Sequence, residues 1–377
     1  MTHARRAFGP TLVLLLLAAS LAAPVFAEDP EPPRRNYFVY VCAESDDTVH
    51  QLRYGPTGFE EVAVIPVGAF PTETEGPHGI NISPDGRHWF LSIAHGMPFG
   101  TVHKYETGSN EWLGDATLGL FPATMDVSPA TGLLYVVNFN LHGDHVPSTI
   151  SVVETGTMIE VATIDTGVMP HGARMNARGD RLYSVNMMDD ELVEVDTMRF
   201  EIARRLYLGT DPHAGHTGMD HGDMGHMRAP VVKPTWATKP SPAGKVYVAG
   251  NGDSAIYEVD LETWTVSRRL DAGAGENPYN LEITSDGGVL VATYKSGHRI
   301  GFWNLESGEL IAAPEATRRV PHGVVVSDDD RYAIVSLEGI GGEPGTVEVY
   351  DIASTQRVDR IDIGKQAGGI IYWNGEP

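Results

Sequence analysis

Residues 77–92 read PHGINISPDGRHWFLS. A short apolar run, Ile80-Asn81-Ile82, meets the tight-turn residues Pro84-Asp85-Gly86, and an aromatic run, Trp89-Phe90-Leu91, follows. That is two short strands folded back on each other. The phrase recurs as PATMDVSPATGLLYVVN from Pro122, PHGARMNARGDRLYSVN from Pro170, PTWATKPSPAGKVYVAGN from Pro234, PYNLEITSDGGVLVATY from Pro278 and PHGVVVSDDDRYAIVSLEG from Pro321. A half-copy, QAGGIIYW from Gln366, ends the series, and successive starts lie 45, 48, 64, 44, 43 and 45 residues apart.

Each copy continues with a third alternating run, such as TVHKYET, ELVEVDT or TVEVYDIAS, and a fourth that ends in glycine, as in EVATIDTG and RVDRIDIG. Four strands per period of about 40–50 residues is the pattern of a propeller blade. Residues 36–68, from Asn36 to Gly68, supply only the second, third and fourth strands of a blade. The half-copy at the C-terminus is the missing first strand. Joining the two ends closes the ring and leaves no open sheet edge. The expectation is an all-β, seven-bladed β-propeller of four-stranded antiparallel blades, closed by a C-terminal strand that completes the N-terminal blade.

The phrases SPDGRHWFLS, LLYVVN and KVYVAGN resemble the YVTN β-propeller repeat family of bacteria and archaea. The resemblance spans Asn36 to Trp373. It implies the fold and says little of function, because propellers serve as scaffolds, binders and enzymes alike.

The rest of the chain divides around that ring. His3, Arg5 and Arg6 precede an apolar run from Leu12 to Ala23, and Val25-Phe26-Ala27 follows. This is the pattern of a secretory signal peptide cleaved after Ala27, which places the mature chain in the periplasm or outside the cell. Residues 28–35 read as a linker, 36–373 as the propeller with an inserted loop at 211–232, and 374–377 as a tail. Losing the signal removes two arginines and no acid, so the formal charge falls from −23 to −25. So acidic a chain is a poor partner for nucleic acid or an anionic membrane surface, and it attracts cations. The apolar run of the signal is too short to span a bilayer comfortably, and no other stretch comes close. Cys42 is the only cysteine and excludes an internal disulfide. No nucleophile elbow, phosphate-binding loop, HExxH or CxxCH is present.

Function is sought in the histidines. In a blade, the connection into the innermost strand and the turn between strands two and three share one face. Of the 15 histidines, 11 fall on that face. His78, His171 and His322 each sit in a Pro-His-Gly opening an innermost strand, at ring gaps of two, three and two. The equivalent positions elsewhere read as Ala123, Thr235, Tyr279 and Ala367. His95, His142, His145 and His298 lie in turns between strands two and three, and the first three are further candidate metal ligands. Three neutral imidazoles converging on the axis can bind a transition metal. Tyr279, within NPYN, and Trp236 lie near the channel mouth.

The longest spacing holds HAGHTGMDHGDMGHM, residues 213–227, on the same face. Thioether suits copper(I), while imidazole suits copper(II), zinc, nickel and iron, so a loop with both can hold copper in either oxidation state. GMDHGDMGHM also resembles the Met-Asp-His-rich repeats of secreted bacterial copper-resistance proteins. By type, the ligands that resemblance implies are Met219, His221, Met224, His226 and Met227, with His213 and His216 as further donors. Its glycines favour weak, exchangeable binding, since each ligand fixed costs chain entropy. The leading expectation is an exported propeller that binds a transition metal, copper above all, in capture or delivery. A metal-dependent redox, lyase or hydrolase-type enzyme is the second reading. A metal-free scaffold for an exported protein partner is the third.

Overall fold

The computed structural model describes residue 1 and residues 31–70, 72–95, 99–209 and 229–374. Seven four-stranded antiparallel sheets form, each in consecutive strand order except one. In that one, Ala367–Trp373 pairs with Tyr37–Ala43, ahead of Thr48–Gly55 and Gly58–Pro66. The innermost strands of blades one to seven are Pro77–Ile82, Pro122–Val127, Pro170–Met175, Pro234–Ala237, Pro278–Ile283, Pro321–Val326 and Ala367–Trp373. Each packs against the innermost strands of the blades before and after it, and the seventh meets the first.

The strands follow a burial gradient that their sequences encode. Second strands such as His88–Ile93 and Tyr332–Leu337 are buried on both faces, because neighbouring blades cover them on either side. Fourth strands such as Trp112–Thr117 and Thr265–Asp271 are mostly exposed, with a buried residue near the end of each. This explains why LLYVVN is continuously apolar while the fourth runs are mixed.

Two local devices repeat at the head of the innermost strands. The residue before each lies in the left-handed region: Gly76, Phe121, Met169, Lys233, Asn277, Val320 and Gln366, with φ between 45° and 66°. Directly afterwards the pairing register shifts, as between Pro77 and Ile80 or Pro321 and Val324. Such a bulge leaves the second and third residues unpaired and re-aims their side chains. Hydroxyls from the second strands satisfy the freed backbone. Ser92 Oγ accepts from Gly79 N at 2.7 Å and Ser336 Oγ from Gly323 N at 2.9 Å. Hydroxyls also pin the next blade: Thr293 donates to the His322 carbonyl at 2.8 Å, and Thr124 donates to that of His171. The backbone carrying the histidines is therefore fixed from neighbouring blades.

Candidate metal centre at one mouth of the channel

The bulge and the left-handed residue before it carry one residue per blade over the channel mouth. In ring order these are His78, Ala123, His171, Thr235, Tyr279, His322 and Gly368. The seventh position corrects the sequence alignment, which puts Ala367 there. Ala367 pairs with Ala43 just as Pro321 pairs with Leu337, so it takes the proline's place. The half-copy lacks a proline to anchor the alignment. The difference matters, because a Cβ on Gly368 would collide with Glu44 Oε1. Glycine leaves the gap that the Glu44 carboxylate fills.

The three Pro-His-Gly histidines are brought together. The His78 ring lies 6.1 Å from that of His171 and 5.7 Å from that of His322, centroid to centroid. On the wider side, Tyr279 stands between the other two, 5.5 Å from His171 and 4.9 Å from His322. All three are buried, at 8, 1 and 5 % exposure in chain order.

A second layer comes from the residue just past each second strand: Glu44, Ala94, Phe139, Met187, Asn251, Lys295 and Glu338. Sequence reasoning missed its charged members, whose common offset shows only once the strands are aligned. His78 Nδ1 faces Glu44 Oε1 at 2.9 Å, and Glu44 Oε2 accepts from Gln366 Nε2 at 3.0 Å. Lys295 Nζ bonds Glu338 at 2.9 Å and lies 4.1 Å from the Tyr279 ring centroid. His322 Nε2 lies 3.9 Å from Glu338, while His322 Nδ1 is buried without a hydrogen-bond partner. Among the described residues, ligand-capable atoms of Glu44, His78 and His322 all lie within 4.8 Å of one another.

His171 is more firmly engaged. Its Nδ1 meets the Thr235 carbonyl at 2.7 Å and so carries the proton, which leaves Nε2 to accept from the Tyr279 hydroxyl at 3.2 Å. Burial, then the neighbouring His78, pushes the His171 ring down to about 3. Burial, then Lys295 and the other two histidines, holds His322 well below the usual histidine range. The Gly368 backbone opposes this weakly, without closing a hydrogen bond of ordinary geometry. Both rings are neutral at pH 7, the form that donates to a metal. Burial raises the Tyr279 phenol and the Glu338 carboxyl; Lys295 stays protonated against its own burial through its ion pair with Glu338.

The two sides of the mouth differ in character. Blades five to seven present Lys295, Glu338, His322 and Glu44. Blades one and two present Ala94, Phe121, Ala123 and Phe139, which pack as one apolar cluster with Val168 and Met169. Met187 and Met188 pack against that cluster. Below the histidines, Trp236 lies 6.5 Å from the His171 ring and 4.3 Å from the Arg174 guanidinium, flooring the site.

The remaining candidates separate. His95 and His142 pair at 5.5 Å between ring centroids, both beside Phe121. His145 is exposed and makes no ring contact with them. His298 accepts from Val320 N at 3.2 Å, supporting the left-handed residue of blade six. His213, His216, Met219, His221, Met224, His226 and Met227 lie outside the described residues. A cavity of about 660 Å³ opens between blades seven and one, lined by Phe70, Phe99, Trp112, His103 and Asp115. Its lining includes His95 but none of the axial residues, so the convergence of donors, not the volume, marks the axis as the site.

No protein-family model matches the chain, and no curated protein matches it. Solved structures do. A protein from Lactobacillus plantarum superposes with a TM-score of 0.71 at 12% identity, covering 89% of this chain and 99% of its own. A structure described as a putative 6-phosphogluconolactonase from Bacteroides fragilis gives 0.69 at 12% identity, covering 91% and 99%. At that identity the likeness shows the fold alone, a seven-bladed propeller.

Proposed function

We propose that this protein is an exported propeller that binds a transition-metal cation, copper foremost, at one mouth of its channel and serves in metal capture or delivery. His78, His322 and Glu44 are the donor set. The observation that carries this reading is the approach of two buried imidazoles and a carboxylate within 4.8 Å, together with the unpartnered Nδ1 of His322. His78 Nδ1 lies 2.9 Å from Glu44 Oε1 and His322 Nε2 lies 3.9 Å from Glu338, so each ring stands beside a carboxylate. A buried nitrogen without a partner costs roughly 1–3 kcal/mol, and a bound cation would offset that penalty. Imidazole with carboxylate suits copper(II) or zinc; the methionines of residues 213–227 weight the choice towards copper. That segment is the exchangeable collector and the axial group the tighter holder.

The mature chain, loaded with copper(II) and dialysed, is expected to retain one tightly held ion. His78→Ala with His322→Ala should lose it while keeping the wild-type circular dichroism. Retention by that variant equal to wild type, or no retention by wild type, would overturn the reading.

A further inference from the structure

The geometry points to a second, outer site made by His95 and His142, through which the cation reaches the axial donors. This rests on the axial group being a metal site. His95 follows the second strand of blade one, and His142 stands in the matching connection of blade two. Their rings lie 5.5 Å apart and 34° from parallel. Gly76 makes room for this, since a Cβ there would collide with His95 Cδ2.

Burial grades inward along the series. His142 is exposed, His95 is half-buried, and His78 is buried. Phe121 is the neighbour common to all three, with centroids 5.4 Å from His142, 5.3 Å from His95 and 5.2 Å from His78. One buried ring therefore touches both the outer pair and the axial group. Phe121 has a positive φ of 53°, but every blade has a left-handed residue there, so that strain belongs to the fold and not to the passage.

Two imidazoles bind a borderline transition-metal cation with too few donors to keep it against a fuller set. The outer pair therefore concentrates cations at the rim and hands them inward past Phe121. By microscopic reversibility it speeds loading and release alike, and leaves the axial affinity unchanged.

The test uses the full mature chain, with residues 213–227 kept, mixed with copper(II) alone in a stopped-flow instrument. Quenching of Trp236, 6.5 Å from the His171 ring, reports arrival, and Trp236→Phe assigns the signal. His95→Ala with His142→Ala should slow loading roughly tenfold or more, within the range that local concentration adds to an on-rate. Release to a chelator should slow by the same factor, with stoichiometry and Kd unchanged. Phe121→Leu should speed both. Loading of the double variant at the wild-type rate overturns the relay. Loss of affinity or stoichiometry in it also overturns the relay, by placing the pair in the tight site. A wild-type chain that binds no copper instead defeats the axial reading, and equilibrium dialysis shows this before any rate is measured.

Discussion

His322 shows at the scale of one residue what the fold does for chemistry. Its backbone is pinned by Thr293 of the preceding blade, its Nε2 faces Glu338, and its Nδ1 has no partner. Gly368 matters as much by what it lacks. Gly368→Ala should displace the Glu44 carboxylate from the donor set and weaken copper binding by about 10–100-fold, at least the loss that a disturbed outer partner brings, with little change in Tm. Isothermal titration beside thermal melts checks this. His103 gives a pH prediction away from the centre. Burial lowers its pKa against the opposing pull of Asp115 and Glu75. The unfolded chain takes up a proton below about pH 6.5, where the folded chain resists it. Stability from this residue is thus present above that pH and lost as pH falls towards and through the lower folded value. His103→Gln should flatten the fall in Tm between pH 7.5 and 5, measured without metal.

Among elements, the C-terminal strand has the largest task, since it supplies the innermost strand of a blade whose other three lie over 300 residues earlier. Trp373 fastens it, 5.7 Å from Phe38 and 5.9 Å from Tyr40 between ring centroids. Trp373→Ala should cost about 3–5 kcal/mol, read by denaturant unfolding. This closure was legible in the sequence, because residues 36–68 lack a first strand and the half-copy lacks everything else. The register within the half-copy was not, for it has no proline to mark the bulge. The left-handed residues were hidden too: Gly76 and Asn277 suggest such a conformation, whereas Phe121 and Val320 argue against it. Ring topology overrides their local preference.

For the molecule as a whole, circular order turns sequence spacing into proximity. The gaps of two, three and two between the Pro-His-Gly copies place His78 near both partners and leave Tyr279 in the wider gap. The histidines were legible because their motif repeats. Glu44, Lys295 and Glu338 were not, because they sit in connections of differing length and composition, where the shared offset shows only once strands are aligned. Removing residues 213–227 should leave Tm and the axial copper intact and lower the exchangeable copper, as separated by gel filtration and metal analysis. The central claim is tested most directly by anomalous diffraction at the copper edge from crystals of the loaded mature protein. The expected result is a peak at the channel mouth within bonding distance of His78 and His322, beside Glu44. Full copper content with no peak there, or with density only at other residues, would contradict it.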